Sequence, residues 1–301
     1  MSKYIVTRRK FLKSTGLAVT GGLLWGCQTE QEEKLLKFGL VTDTHYADRE
    51  PGGTRFYRQS DGKLQEAVEL MNQEKVDFMI HLGDFKDQDP EPVEAKTIEY
   101  TRHLEEVFSQ FAGPRYHVIG NHDVDSISKQ QFQEIVENTN IDQTKTYYSF
   151  DHGNFHFVVL DANFRPDGIA YDKGNFKWDE ALINEAQLTW LQQDLNNTKK
   201  PTIVFCHQLL DAEVSSAHVV KNATEVQQVL KDSGKVLAVF QGHIHDEVHH
   251  VTDGIHYYTL HAMVEMDGPE NNSYAIANLD QAGNIELVGY RRAGSMQFGV
   301  S

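Results

Sequence analysis

From residue 37 onward, short apolar runs alternate with segments whose apolar positions recur at helical spacing. The runs at residues 38–42, 76–82, 116–119, 155–160, 202–206 and 236–240 are too short for helices. They are continuous enough to read as strands buried on both faces. Between them Leu64, Ala67, Val68 and Met71 fall at i, i+3, i+4, i+7, as do Leu104, Val107, Phe108 and Phe111. Ile183, Ala186, Trp190 and Leu191 keep a similar stripe, and Val226, Val229 and Leu230 a shorter one. After Gly254 the pattern changes to strands at 255–260, 274–279 and 285–290, with turn chemistry at Asp253-Gly254 and Ala282-Gly283-Asn284. This alternation predicts one α/β domain over residues 37–301, with buried sheets and covering helices.

The first thirty residues have a different plan. Lys3, Arg8, Arg9, Lys10 and Lys13 precede an apolar stretch that ends at Cys27, and no acid occurs before Glu30. This is the layout of an export signal, and the apolar stretch is about half the ~20 residues a membrane-spanning helix needs. Thr7-Arg8-Arg9-Lys10-Phe11-Leu12-Lys13 closely resembles the twin-arginine (Tat) export consensus, which implies use of the Tat machinery. Leu24-Trp25-Gly26-Cys27 resembles a bacterial lipobox, which implies a lipid on Cys27 as the sole link to a membrane. Cleavage nearby and release as a free protein is the alternative. The expected organisation is an export signal at 1–26, a polar tether at 27–36 and the folded domain at 37–301, in the periplasm or cell envelope.

Composition narrows the chemistry. The 301 residues carry 28 Lys+Arg against 44 Asp+Glu, a formal charge of −16, and loss of residues 1–26 leaves 23 basic against 44 acidic, or −21. Such a balance argues against a nucleic-acid polymer as partner, because phosphate contacts need clustered Lys and Arg. Two cysteines cannot build a disulfide framework or a Cys-rich metal site. Cys206, inside an apolar run, reads as a buried inert thiol. The 15 histidines point to metal.

The residues at the end of each early strand carry the chemistry. The runs end in Asp43-Thr44-His45, in Gly83-Asp84, in Gly120-Asn121-His122-Asp123, in His207 and in Gly242-His243-Ile244-His245. Sites assemble at the carboxyl ends of strands in open α/β sheets. Residues two apart on extended chain project to one side, so Asp43 with His45, and His243 with His245, can reach one cluster. Two carboxylates, one amide oxygen and four imidazoles are too many donors for one tetrahedral zinc. They suit two ions that share a carboxylate and a water.

In this order, D-x-H, G-D-x-x-D, G-N-H-D, a strand-end His and G-H-x-H resemble the calcineurin-like metallophosphoesterase family, over about residues 37–260. The resemblance implies a two-sheet β-sandwich flanked by helices. It implies one divalent ion on Asp43, His45, Asp84 and His245, and a second on Asp84, Asn121, His207 and His243. Their mixed N/O ligands suit Mn, Fe and Zn alike. His122, paired with Asp123, would face the phosphoryl group without binding metal. Asp87, at the end of Gly83-Asp84-Phe85-Lys86-Asp87, reads as a residue behind the ligands or a helix cap and not as a ligand. The implied reaction is in-line hydrolysis of a phosphoester or phosphoanhydride by a hydroxide bridging two cations about 3.5–4 Å apart.

Specificity must come from the surrounding loops. The segments 43–48, 55–58, 83–87, 174–178 and 242–245 resemble the manganese-dependent ADP-ribose/CDP-alcohol diphosphatase branch. His45 stands where members of that branch usually carry Gln, and it restores the ordinary ligand. Arg55 and Arg58 are candidate contacts to a second phosphate of a small, nucleotide-like substrate. Tyr57, Phe164, Tyr171 and Trp178 are candidate stacking surfaces, although Ser60-Asp61 also reads as a helix start that would tie Tyr57 and Arg58 into packing. The leading reading is a phosphodiesterase or nucleotide diphosphatase. A phosphate-scavenging phosphomonoesterase is the alternative, and a non-catalytic surface module the remote one, since it would have eroded ligands.

Overall fold

The computed structural model describes residues 35–214 and 216–299. The export signal, Cys27 and nearly all of the tether reading lie outside the described residues. The folded part begins one residue earlier than the sequence pattern placed it, because Leu36 already belongs to the first strand.

Two six-stranded sheets face each other. In the first, β1 (Leu36–Val41), β2 (Phe78–His81) and β3 (Arg115–His117) run parallel. The other side of β1 continues antiparallel through β10 (Ser273–Leu279), β11 (Ile285–Arg291) and β12 (Met296–Phe298). In the second, β5 (Phe155–Val159), β6 (Thr202–Phe205), β7 (Val236–Gln241) and β9 (Ile255–Thr259) are parallel. Antiparallel β4 (Tyr148–His152) and β8 (Val248–Thr252) form its edges.

The strand period of two decides the layers. Phe38, Leu40, Phe78 and Ile80 of the first sheet meet Phe157, Phe205 and Phe240 of the second. The Phe38 ring stacks on Phe78 at 5.0 Å and meets those three rings edge-on at 5.7–5.8 Å. The opposite faces pack on helices. Val41 and Met79 bury against α1 (Ser60–Glu74) and α2 (Glu94–Phe108), near the short α3 (Lys129–Gln133). Val158, Val204 and Val239 bury against α4 (Glu185–Asn197) and α5 (Ala223–Ser233). This is the expected two-sheet sandwich flanked by helices.

The sequence pattern missed β4, β8 and β12, and all three are edge strands. An edge strand is half-solvated, so its sequence lacks the continuous apolar run that marked the central strands. His249 and His250 lie on β8, where His250 Nδ1 meets Asp211 at 2.6 Å. Ser60 and Asp61 are the first helical residues of α1 and do not cap it; Gln59 precedes them without a side-chain cap. Cys206 is fully buried, as expected, and burial pushes its thiol far up.

Candidate metal centre

The parallel strands of both sheets end at one rim, and the loops leaving them are laced together. Asp43 N donates to Gly83 O, His45 N to Asp84 O, and Gly242 N to His207 O, at 2.9–3.1 Å. Five of the seven expected ligands, Asp43, His45, Asp84, His243 and His245, hold φ between 44° and 74°. Non-glycine residues rarely adopt this region, and such strain concentrates at functional sites. At Gly120 a Cβ atom would collide with the backbone N and carboxylate of Asp84. Only glycine lets the third loop approach the second this closely.

Six of the seven residues converge, and Asn121 lies on the loop beside them. Asp84 Oδ2 lies 3.4 Å from His45 Nε2 and 3.1 Å from His207 Nε2, so one carboxylate oxygen faces both halves of the site. Asp43, His45 and His245 form one compact group of donor atoms, and Asp84, His207 and His243 another. In the first, Asp43 Oδ1 is 3.5 Å from His245 Nε2 and 3.6 Å from His45 Nε2. In the second, Asn121 Oδ1, His207 Nε2 and His243 Nε2 are buried without an aligned hydrogen bond. Buried polar atoms are nearly always satisfied. Three orphans beside a carboxylate, among oxygen and imidazole donors only, fit a pair of divalent cations.

Surrounding groups fix the ligands' orientation. His207 Nδ1 donates to Leu82 O at 2.9 Å, leaving Nε2 directed inward. His245 Nδ1 meets Glu265 Oε1 at 2.7 Å, and His45 Nδ1 faces Asp87 Oδ2 at 3.4 Å. Outer partners of this kind set the tautomer and the ring plane of a ligating histidine. Electrostatics mirrors the geometry. Burial raises Asp43, but His45, His207 and His245 outweigh it and hold the carboxyl well below the usual range. Burial lowers His207, but the Asp84 carboxylate outweighs it and lifts the imidazole to about 9.

His122 sits on the rim of this group, its ring 4.6 Å from that of His45. The expected pairing with Asp123 is not what the structure shows. His122 Nδ1 lies 3.4 Å from Asp87 Oδ1 and 3.5 Å from Asp125 Oδ2. Asp123 is turned the other way and accepts backbone N–H groups of Asp84, Phe85, Lys86 and Gly120 at 2.8–3.3 Å. It clamps the Asp84 loop to the Asn121 loop. Burial, with the Asp84 charge, pushes Asp123 up to about 6. Burial lowers His122, yet Asp84, Asp87 and Asp125 together carry it well above the ordinary histidine value.

The expected substrate contacts divide. The Arg55 guanidinium stays at the rim, 4.0 Å from Asp87 and 3.9 Å from Glu265. Arg58 is drawn away to Asp48 and Glu50 at the exposed surface, at 2.5 and 2.6 Å. Among the four aromatics, Tyr57 is buried beneath Arg49, Phe164 beneath Lys129, and Tyr171 is wholly buried. Trp178 alone of the four is exposed.

Sequence reasoning missed Glu265 and His218. His218 lies with its ring 4.8 Å from both Trp178 and His243. Glu265 arrives on a segment held by Lys63 of α1, whose buried ammonium donates to the carbonyls of Met263, Glu265 and Met266 at 2.9–3.0 Å. The only local signal was a buried lysine one turn into a helix, which reads as a surface residue.

Comparison with known proteins agrees with this geometry. A manganese-dependent ADP-ribose/CDP-alcohol diphosphatase of Oryza sativa subsp. japonica is 28% identical over 83% of this chain and 89% of its own. Its Arabidopsis thaliana counterpart is 28% identical over 88% and 97%. A crystal structure of a dimetal phosphatase from Danio rerio shares the fold with a TM-score of 0.74 at 23% identity, covering 88% of this chain and 99% of that one. Residues 36–247 match the profile of the family described as calcineurin-like phosphoesterase. The chain belongs to the calcineurin-like phosphoesterase family and is a metal-dependent hydrolase of phosphoester bonds.

Proposed function

We propose that this enzyme is an exported phosphodiesterase or nucleotide diphosphatase that hydrolyses a small phosphodiester or phosphoanhydride. The observation that carries the site assignment is the single carboxylate oxygen of Asp84, shared between His45 and His207. On this reading Asp43, His45, Asp84 and His245 hold one divalent cation, and Asp84, Asn121, His207 and His243 the other. Two such cations supply charge for the phosphoryl oxygens and acidity for the attacking water.

The chain's own residues do the rest. His122 turns Nδ1 to Asp87 and Asp125, which leaves Nε2 to face the cleft. With Nδ1 oriented by those carboxylates, it is placed to stabilise or protonate the leaving oxygen. Asp123 acts through the backbone, keeping Asp84 and His122 in register. Arg55 is placed to meet a second phosphate at the rim, whereas Arg58 is committed elsewhere. The diphosphatase preference draws support from the names of the plant relatives. The export reading rests on Arg8, Arg9 and the apolar stretch before Cys27.

The test is a panel of ADP-ribose, CDP-glycerol, a cyclic nucleotide and p-nitrophenyl phosphate on protein lacking residues 1–26, loaded with defined Mn²⁺, Fe²⁺ or Zn²⁺. Preference for the phosphoanhydrides or diesters is expected. A clear preference for the monoester replaces this reading with phosphate scavenging. Export is tested by changing Arg8 and Arg9 to Lys and tracking the protein between cytoplasm and envelope.

A further inference from the structure

An open cleft of about 380 Å³ begins at the site and runs away from it. Asn121 and His122 line it together with Phe176 and Trp178, and Lys177 lies among them with the carboxylates of Asp125 and Asp179. Trp178 is 45% exposed, an unusual state for the largest apolar side chain. Its position is fixed from behind. The ring lies 4.8 Å from that of His218 and 6.0 Å from that of His243. Phe176 stacks on the buried Tyr171 at 4.0 Å and 5°. The preceding segment is pinned to the chain that leaves His122, with Gly174 N donating to Val124 O at 3.0 Å and Lys173 N to Ile127 O at 3.3 Å. Tyr171 Oη donates to Lys177 O at 2.9 Å. The wall is therefore built onto the same loop that places His122.

Elsewhere near the site the aromatic faces are taken, Tyr57 by Arg49 and Phe164 by Lys129. Trp178, braced from behind and 45% exposed, presents its indole to the cleft that His122 also lines. It offers a flat face to a planar ring attached to the substrate's phosphate, and such stacking is tolerant of which base is presented. We infer that Trp178, with Phe176, seats the nucleobase of a nucleotide substrate, so that the leaving phosphate lies toward His122. This deepens the nucleotide reading proposed above and rests on it. It makes Trp178 a specificity residue with no part in the bond-breaking step.

The test uses the full chain with manganese and compares wild type, Trp178→Ala and Trp178→Phe. ADP-ribose is the base-bearing substrate, and pyrophosphate or glycerophosphoglycerol the base-free comparator. Trp178→Ala is expected to lower the ratio of kcat/KM for ADP-ribose over the comparator about tenfold, mostly through KM for ADP-ribose. Trp178→Phe should recover most of it. AMP should quench tryptophan emission in wild type and not in Trp178→Ala. An unchanged ratio overturns the seat. An equal fall on both substrates overturns it too, because a wall that merely supports His243 would give that result. If wild type hydrolyses none of these substrates, the nucleotide reading fails, and AMP quenching alone then decides whether the seat exists.

Discussion

His81 and His207 are both fully buried histidines beside the same rim, and they have opposite fates. His81 closes β2 with its hydrogen bonding complete: Nε2 meets Thr44 Oγ1 at 3.0 Å, and Nδ1 accepts from Gly83 N at 3.2 Å. Burial, with His117 nearby, holds it well below the ordinary histidine value, so it stays neutral. His207 uses Nδ1 on Leu82 O and leaves Nε2 orphaned beside Asp84. Burial therefore does not mark a ligand. What sets His207 apart is an unpaired Nε2 beside a carboxylate oxygen that a second histidine, His45, also faces.

The contrast can be broken at its strong end first. Asp84→Ala removes the oxygen shared by both halves, and turnover should fall by three orders of magnitude or more, with both cations lost in metal analysis after gel filtration. Retention of two ions would show that the halves are independent. His122→Ala should keep both ions and lose about 10²–10⁴ in kcat, measured on the best substrate of the panel. Equal loss of metal would place His122 among the ligands.

Smaller effects sharpen the outer layer. Glu265→Gln leaves His245 in place but weakens its orienting partner. Manganese affinity by titration should drop about 10–100-fold. An unaltered affinity would make Glu265 a bystander. His81→Ala should keep the metal and lower stability by about 2–4 kcal/mol in urea unfolding, through a cavity and two broken hydrogen bonds. Loss of metal there would erase the distinction from His207.

The weakest effect concerns a third kind of histidine, far from the rim. Burial lowers His156, but Asp194 at 2.8 Å and Asp151 at 2.7 Å outweigh it and raise it. A histidine raised on folding stabilises the fold fully below its unfolded value. That contribution is lost as pH rises through the folded value. Urea midpoints should therefore fall between pH 6 and pH 9 more steeply in wild type than in His156→Gln. Parallel slopes would show that His156 does not carry the effect.

Much of this architecture was legible because its signals are local. Continuous apolar runs marked the central strands, and helical stripes marked α1, α2, α4 and α5, whereas the half-solvated edges β4, β8 and β12 were not visible. At the site, the residue types that end each strand named Asp43, His45, Asp84, His207, His243 and His245, six groups whose donor atoms lie close together in the fold. The orientation of Asp123 was not legible. In sequence it adjoins His122, but a tight 3-10 turn at His122–Val124 sends neighbouring side chains in different directions. Asp125, three residues on, lies beside the imidazole instead.

By itself, then, the sequence determined the layer order, the chemistry delivered to the rim and the family. These come from periodicity and residue type, which act over a few residues. Only the tertiary structure decided who partners whom. It brought Asp87 to His122 across 35 positions, Leu82 O to His207 across 125, and Lys63 to the Glu265 segment across 202. It also buried Tyr57, Phe164 and Tyr171 while leaving Trp178 exposed beside the site. Those outcomes depend on how the loops close over two packed sheets, and no local pattern in the chain encodes that closure.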